Sequence, residues 1–119
     1  MREIALPQSA RDLIAYYYRN IIELRPNETV ATVGTTAVKV GSFARQRVAV
    51  LFCNNGTVAI YLGFSPSVST TQGIQLAAAQ TVSFSWPWDG ELVMQDFWAI
   101  SGSAAQSLYC LESVLSGNT

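Results

Sequence analysis

The chain has 119 residues, a net charge of −1 and a hydrophobic content of 50%, while only 13% of its residues are charged. That length gives one domain with one core, and the apolar content excludes a chain that is disordered throughout. The absence of histidine excludes Ser-His-Asp and Cys-His catalytic sets and histidine-ligated metals.

Residues 1–7 lack the basic region and long apolar stretch of an export signal. No apolar run reaches the roughly 18 residues of a membrane span. The expectation is a soluble protein made in the cytosol of its producer. Residues 9–24 read as the one substantial helix, N-terminal to everything else. Ser9 can cap it, Asp12 favours its first turn, and Arg25-Pro26 ends it. Its apolar residues, including Leu13, Tyr16, Tyr17, Tyr18, Ile21 and Ile22, wrap most of the way round. A helix lying on one sheet needs a stripe only about 100° wide. The excess is expected to meet a neighbouring chain, as rigid rings with polar tips favour interfaces. The opposing reading buries the helix on its own sandwich.

From residue 29 the texture changes to short β-branched runs separated by turn signals. Strands are expected at 29–33, 37–40 and 46–53. The third is apolar on both faces and therefore central. Asn54-Asn55-Gly56 reads as a tight hairpin turn, from which 57–64 returns as the partner strand with Val58, Ile60 and Leu62 on one face. A polar loop spans 65–73. Strands follow at 74–77 and 81–86, a turn at Pro87-Trp88-Asp89-Gly90, short strands at 91–94 and 97–100, and a last strand at 106–114. About eight strands at this spacing indicate a mainly β protein, an antiparallel, jelly-roll-like sandwich. The organisation expected is an arm and helix at 1–28 that makes the assembly contact, a sandwich at 29–115 and a loose tail at 116–119.

The chemistry-bearing residues are few. Asp89, Glu91 and Asp96 fit neither a glycosidase pair nor a calcium loop, and read as solvated turn charges. Cys53 and Cys110 are too few for zinc and read as buried reduced thiols. No catalytic, cofactor or metal site is expected. Trp86 and Trp98 alternate with polar residues and are expected in the core. Trp88, between Pro87 and Asp89-Gly90, is expected to be exposed and used for contact, a glycan-binding module being one alternative.

The charge content lies well below the roughly 25% of ordinary soluble domains, and exposed positions fall to Ser, Thr, Gln, Asn and Gly. Such a surface tolerates being covered by neighbours, so an oligomer or larger assembly is expected. All seven basic residues lie at or before Arg47, whereas Asp89, Glu91, Asp96 and Glu112 carry the remainder. Opposed ends favour head-to-tail contacts, the alternative reading being a chance segregation of a handful of charges. No basic patch is dense enough for nucleic acid.

The series Arg47-Val48-Ala49-Val50-Leu51, Asn54-Asn55-Gly56 and Ile60-Tyr61-Leu62-Gly63 resembles a pattern in small β-sandwich virion proteins of tailed bacteriophages. Gly73-Ile74-Gln75-Leu76, Trp98-Ala99-Ile100-Ser101 and Leu111-Glu112 continue it, over about residues 45–114. The resemblance implies a non-enzymatic capsid decoration (cement) protein on the head surface, or else a tail, baseplate or fibre-base component. It implies the major capsid protein and copies of the chain itself, in a trimer or other small ring, as partners. The tyrosine-rich helix is not part of the pattern.

Overall fold

Two four-stranded antiparallel sheets face each other across an apolar core in the computed structural model, which describes residues 24–115. The predicted helix falls at residues 9–23 outside that range, apart from its last residue, and so does the tail at 116–119. Leu24 itself opens a strand. The strands are β1 (Leu24–Val33), β2 (Val38–Val40), β3 (Arg47–Asn54), β4 (Ile60–Gly63), β5 (Ile74–Leu76), β6 (Thr81–Ser85), β7 (Phe97–Ser101) and β8 (Gln106–Leu115). One sheet has the order β1-β8-β3-β6 and the other β2-β7-β4-β5.

The pairings β1 with β8, β2 with β7, β3 with β6 and β4 with β5 are nested, one inside the next. This is the topology of a long hairpin rolled up on itself, the jelly-roll form of a sandwich. Strand alternation supplies the core. Val50 and Phe52 of β3, Phe84 of β6, Phe97 and Ala99 of β7, and Leu108 and Cys110 of β8 all point inward and are buried. Phe52 and Phe97 meet edge to face with centroids 5.0 Å apart, the geometry that ring quadrupoles favour.

Three predicted elements differ. Asn54-Asn55-Gly56 does not turn a hairpin: β3 and β4 lie in different sheets, and neither Asn55 nor Gly56 has positive φ. The segment is an arch between the sheets, held by side chains. Buried Asn54 accepts the Gly56 amide on Oδ1 at 2.8 Å and donates through Nδ2 to the carbonyls of Val58 and Leu76. Gln106 Oε1 accepts the Thr57 and Val58 amides at 2.7 and 3.1 Å. A local preference for a tight turn yields here to buried amides satisfied from afar. The turn expected around Trp88 is a short helix, α1 (Trp86–Asp89), and the strand expected at 91–94 is a 3-10 turn, Gly90–Met94. Val93 of that turn is fully buried, which explains its apolar signature without a strand. β1 also starts five residues before the predicted 29, so that residues 24–28 are paired with β8.

Candidate interaction surface

The two sheets offer unequal edges. β2 and β5, at the margins of one, are three residues each, short enough to be poor templates for another chain. β1 and β6, at the margins of the other, are ten and five residues. The direction of their backbone groups follows from fixed points. Asn54 N–H donates to the Gln80 carbonyl at 3.0 Å and Asn55 N–H to that of Ser107 at 2.9 Å. Residues of an antiparallel pair alternate between facing the partner and facing away. Val82 and Phe84 therefore face β3, and Thr81, Ser83 and Ser85 face outward. The Ser85 amide agrees, donating to Asp89 Oδ2 at 2.8 Å instead of to β3. Carried through β8, the same alternation turns Glu28, Val30 and Thr32 of β1 outward. Pro26 shares their parity, so its missing N–H falls on the free edge, where it breaks no ladder bond.

Several apolar side chains remain on the surface. Trp88 is 86% exposed and Val30 68%, with Leu92, Phe64, Val58 and Ile74 less so. Trp88 is thus exposed as its sequence context suggests. Trp86 packs against the core. Trp98, expected in the core, is only partly buried, on the alternate parity of β7 from buried Phe97 and Ala99, opposite Lys39 and Gly63. Leu13, Tyr16, Tyr17, Tyr18, Ile21 and Ile22, the other expected contact residues, lie outside the described residues.

The strongest polar feature is internal. A β-bulge between Arg47 and Ala49 shifts the β3–β8 register and buries Arg47 and Val48 consecutively. Bulges re-aim side chains in this way. Arg47 reaches Glu112 Oε2 through Nε and Nη2, both at 2.7 Å, and donates through Nη1 to the carbonyls of Val93 and Gln95. Glu112 also accepts Asn27 Nδ2 and the amides of Ser42 and Phe43. Burial by itself raises the Glu112 carboxyl, but those two amides, Asn27 and Arg47 outweigh it and hold the group below the usual glutamate range. Gly41 makes room: it has φ +85°, and a Cβ there would stand 2.7 Å from Arg47 Nη2. The cluster ties β1, β3, β8, the 41–46 loop and the 3-10 turn together. Arg47 and Glu112 are both buried and committed to each other.

The remaining chemistry is dispersed. An open cleft of about 370 Å³ lies over the 41–46 loop, and there Lys39 is paired with Asp96 at 3.5 Å while Arg47 is committed to Glu112. Asp89 is held by the Ser85 amide. Among the described residues no three His, Cys, Asp or Glu side chains gather as a metal site, and no helix is long and apolar enough to cross a membrane. Cys53 and Cys110 are both free thiols on neighbouring strands. Cys110 points into the core and Cys53, half-buried, to the outer face, a correction to its expected burial.

No protein-family model matches the chain, and no curated protein is similar to it in sequence. Among solved structures, it is similar to a chain described by the words "Bacillus endospore appendages form a novel family of disulfide-linked pili". The TM-score is 0.47 and the identity 15%, over 95% of this chain and 100% of that one. The match is to a pilus and not to a phage particle. The expected resemblance to tailed-phage virion proteins is corrected accordingly, and with it the capsid decoration role, its tail and glycan-binding alternatives, the major capsid protein as partner and the location on a virion. No residue of this chain takes a role from that pilus.

Proposed function

We propose that this protein is a non-catalytic structural subunit that associates with copies of itself. The observation that carries this reading is the surface: Trp88 and Val30 stand open to water on a chain of which only 13% of the residues are charged. A solitary domain keeps such side chains few and surrounds them with mixed charge. A subunit that is covered by its neighbours has no such need. A chain without histidine, whose buried acid and base are locked to each other, supports a structural role over a catalytic one.

Residues 1–23 are the arm of this subunit, with Leu13, Tyr16, Tyr17, Tyr18, Ile21 and Ile22 as contact residues. The support for this is that β1, which opens the described residues at Leu24, is an edge strand. Sedimentation velocity of the full chain over a wide concentration range, with negative-stain microscopy, tests the reading. Mass-action growth into oligomers or fibres is expected. A monomer at every concentration overturns it.

A further inference from the structure

We propose that β6 of one copy pairs antiparallel with β1 of the next, so that the sheet β1-β8-β3-β6 continues through successive copies. The inference rests on the self-association reading and names its junction.

Four observations carry it. First, each strand of this sheet is antiparallel to its neighbour, and a sheet with an even number of strands has oppositely directed edges. A second copy placed beside the first in the same orientation therefore presents β1 antiparallel to β6, with no flip. Second, the outward groups match in number and parity. Thr81 and Ser83 on β6 face Thr32 and Val30 on β1, and Glu28 falls opposite Ser85, whose amide is held by Asp89 and whose carbonyl, at the N-cap of α1, opens that helix. Third, the edges are lightly defended over the paired stretch, where Glu28 is the one charge. Natural edges carry lysine, proline or bulges. β6 has no charge and no proline, and β1 keeps its proline and arginine before residue 27. Thr81, Ser83, Val30 and Thr32 are all exposed, and Val30 would gain Ser83 as a cross-strand neighbour. Fourth, charges complement at one end. In this register Arg25 of one copy lies beside α1 of the other, which carries Asp89 and exposed Trp88, with Glu91 in the 3-10 turn that follows. Opposite charges at a junction fix its register.

The contact joins two different surfaces, so it is heterologous. Such contacts close into rings or run on as filaments according to the rotation between copies.

Proline at an outward position removes a junction donor and obstructs the edge while leaving the subunit's own ladder intact. Ser83→Pro blocks only β6, and Val30→Pro only β1. Each full-length variant alone is expected to lose higher oligomers, the assembly concentration rising by at least about tenfold, as for one lost hydrogen bond with a clash. An equimolar mixture is expected to give heterodimers and nothing longer, because each variant keeps one complementary edge. If circular dichroism shows a proline variant unfolded, Ser83→Lys and Val30→Lys replace the pair with the same expected pattern. Wild-type assembly combined with undiminished variant assembly, or a mixture that stays monomeric, overturns this junction and leaves self-association standing. A wild-type chain that is always monomeric removes both. In assembled wild type, amide exchange at Val30, Thr32, Thr81 and Ser83 is expected to slow by at least about tenfold; unchanged rates overturn the junction.

Discussion

Arg47 and Glu112 sit 65 positions apart in sequence, yet the Arg47 guanidinium and the Glu112 carboxylate share one sealed space between β3 and β8. Both charges are matched: the carboxylate takes two backbone amides as well as the arginine, and the arginine takes two backbone carbonyls. Removal of one partner strands a charge where water does not reach it.

Glu112→Ala is therefore expected to destabilise the fold by about 3–5 kcal/mol, the usual effect of breaking a buried pair. The double variant Arg47→Met with Glu112→Leu should recover a large part of that loss, because it leaves no unpaired charge. Urea denaturation followed by tryptophan fluorescence measures both. A single variant within about 0.5 kcal/mol of wild type, the range of ordinary surface changes, would mean that the pair does not hold the sheet.

The pH dependence has a definite sign. The folded carboxyl of Glu112 titrates below its ordinary value, so the unfolded chain takes up this proton first. The stability it contributes is complete above the unfolded value of about 4.3 and is lost as pH falls through the folded value. Melting temperature is expected to drop on acidification below about pH 4.3, and the drop should be shallower in Glu112→Gln. Parallel curves for the two proteins would assign acid lability to other carboxylates.

Gln106 supports the arch from the opposite strand end. Gln106→Ala leaves the Thr57 and Val58 amides without their acceptor, a loss of about 0.5–1.5 kcal/mol. Exchange of those two amides should accelerate more than exchange in β3. Gly56→Ala should be similarly costly, because its Cβ would run into Gln106 Oε1 and Asn54 Oδ1. If either variant melts like wild type, the arch does not depend on these contacts.

The two thiols should differ in reactivity. Burial, with the nearby Glu112 charge, pushes the Cys110 thiol up to about 11, whereas Cys53 is partly open to solvent. A thiolate reagent at neutral pH is expected to label Cys53 alone in the native protein and both residues in denaturant, since the thiolate is the reactive form. Mass spectrometry of the labelled peptides decides it. Rapid native labelling of Cys110 would show that β8 opens.

The class of the fold was legible because alternation is a local property. Phe52, Phe84, Ile60 and Leu108 each announce an inward face by their own neighbours, and residues of that kind yielded most of the strands and the sandwich. Glu112 was legible in principle, standing on the same parity as Leu108, Cys110 and Val114. Arg47 was not, because a bulge turned it inward and a bulge leaves no periodic mark. Asn54-Asn55-Gly56 misled for a related reason: the same three residues suit a hairpin or an arch, and the choice depends on whether the next strand finds β3 or β7. The chain by itself thus determined which residues are apolar, where strands run and how little charge covers them. Only the folded molecule decided which strands pair, which edges stay open and which charges meet, since these depend on contacts between distant segments that no local pattern encodes.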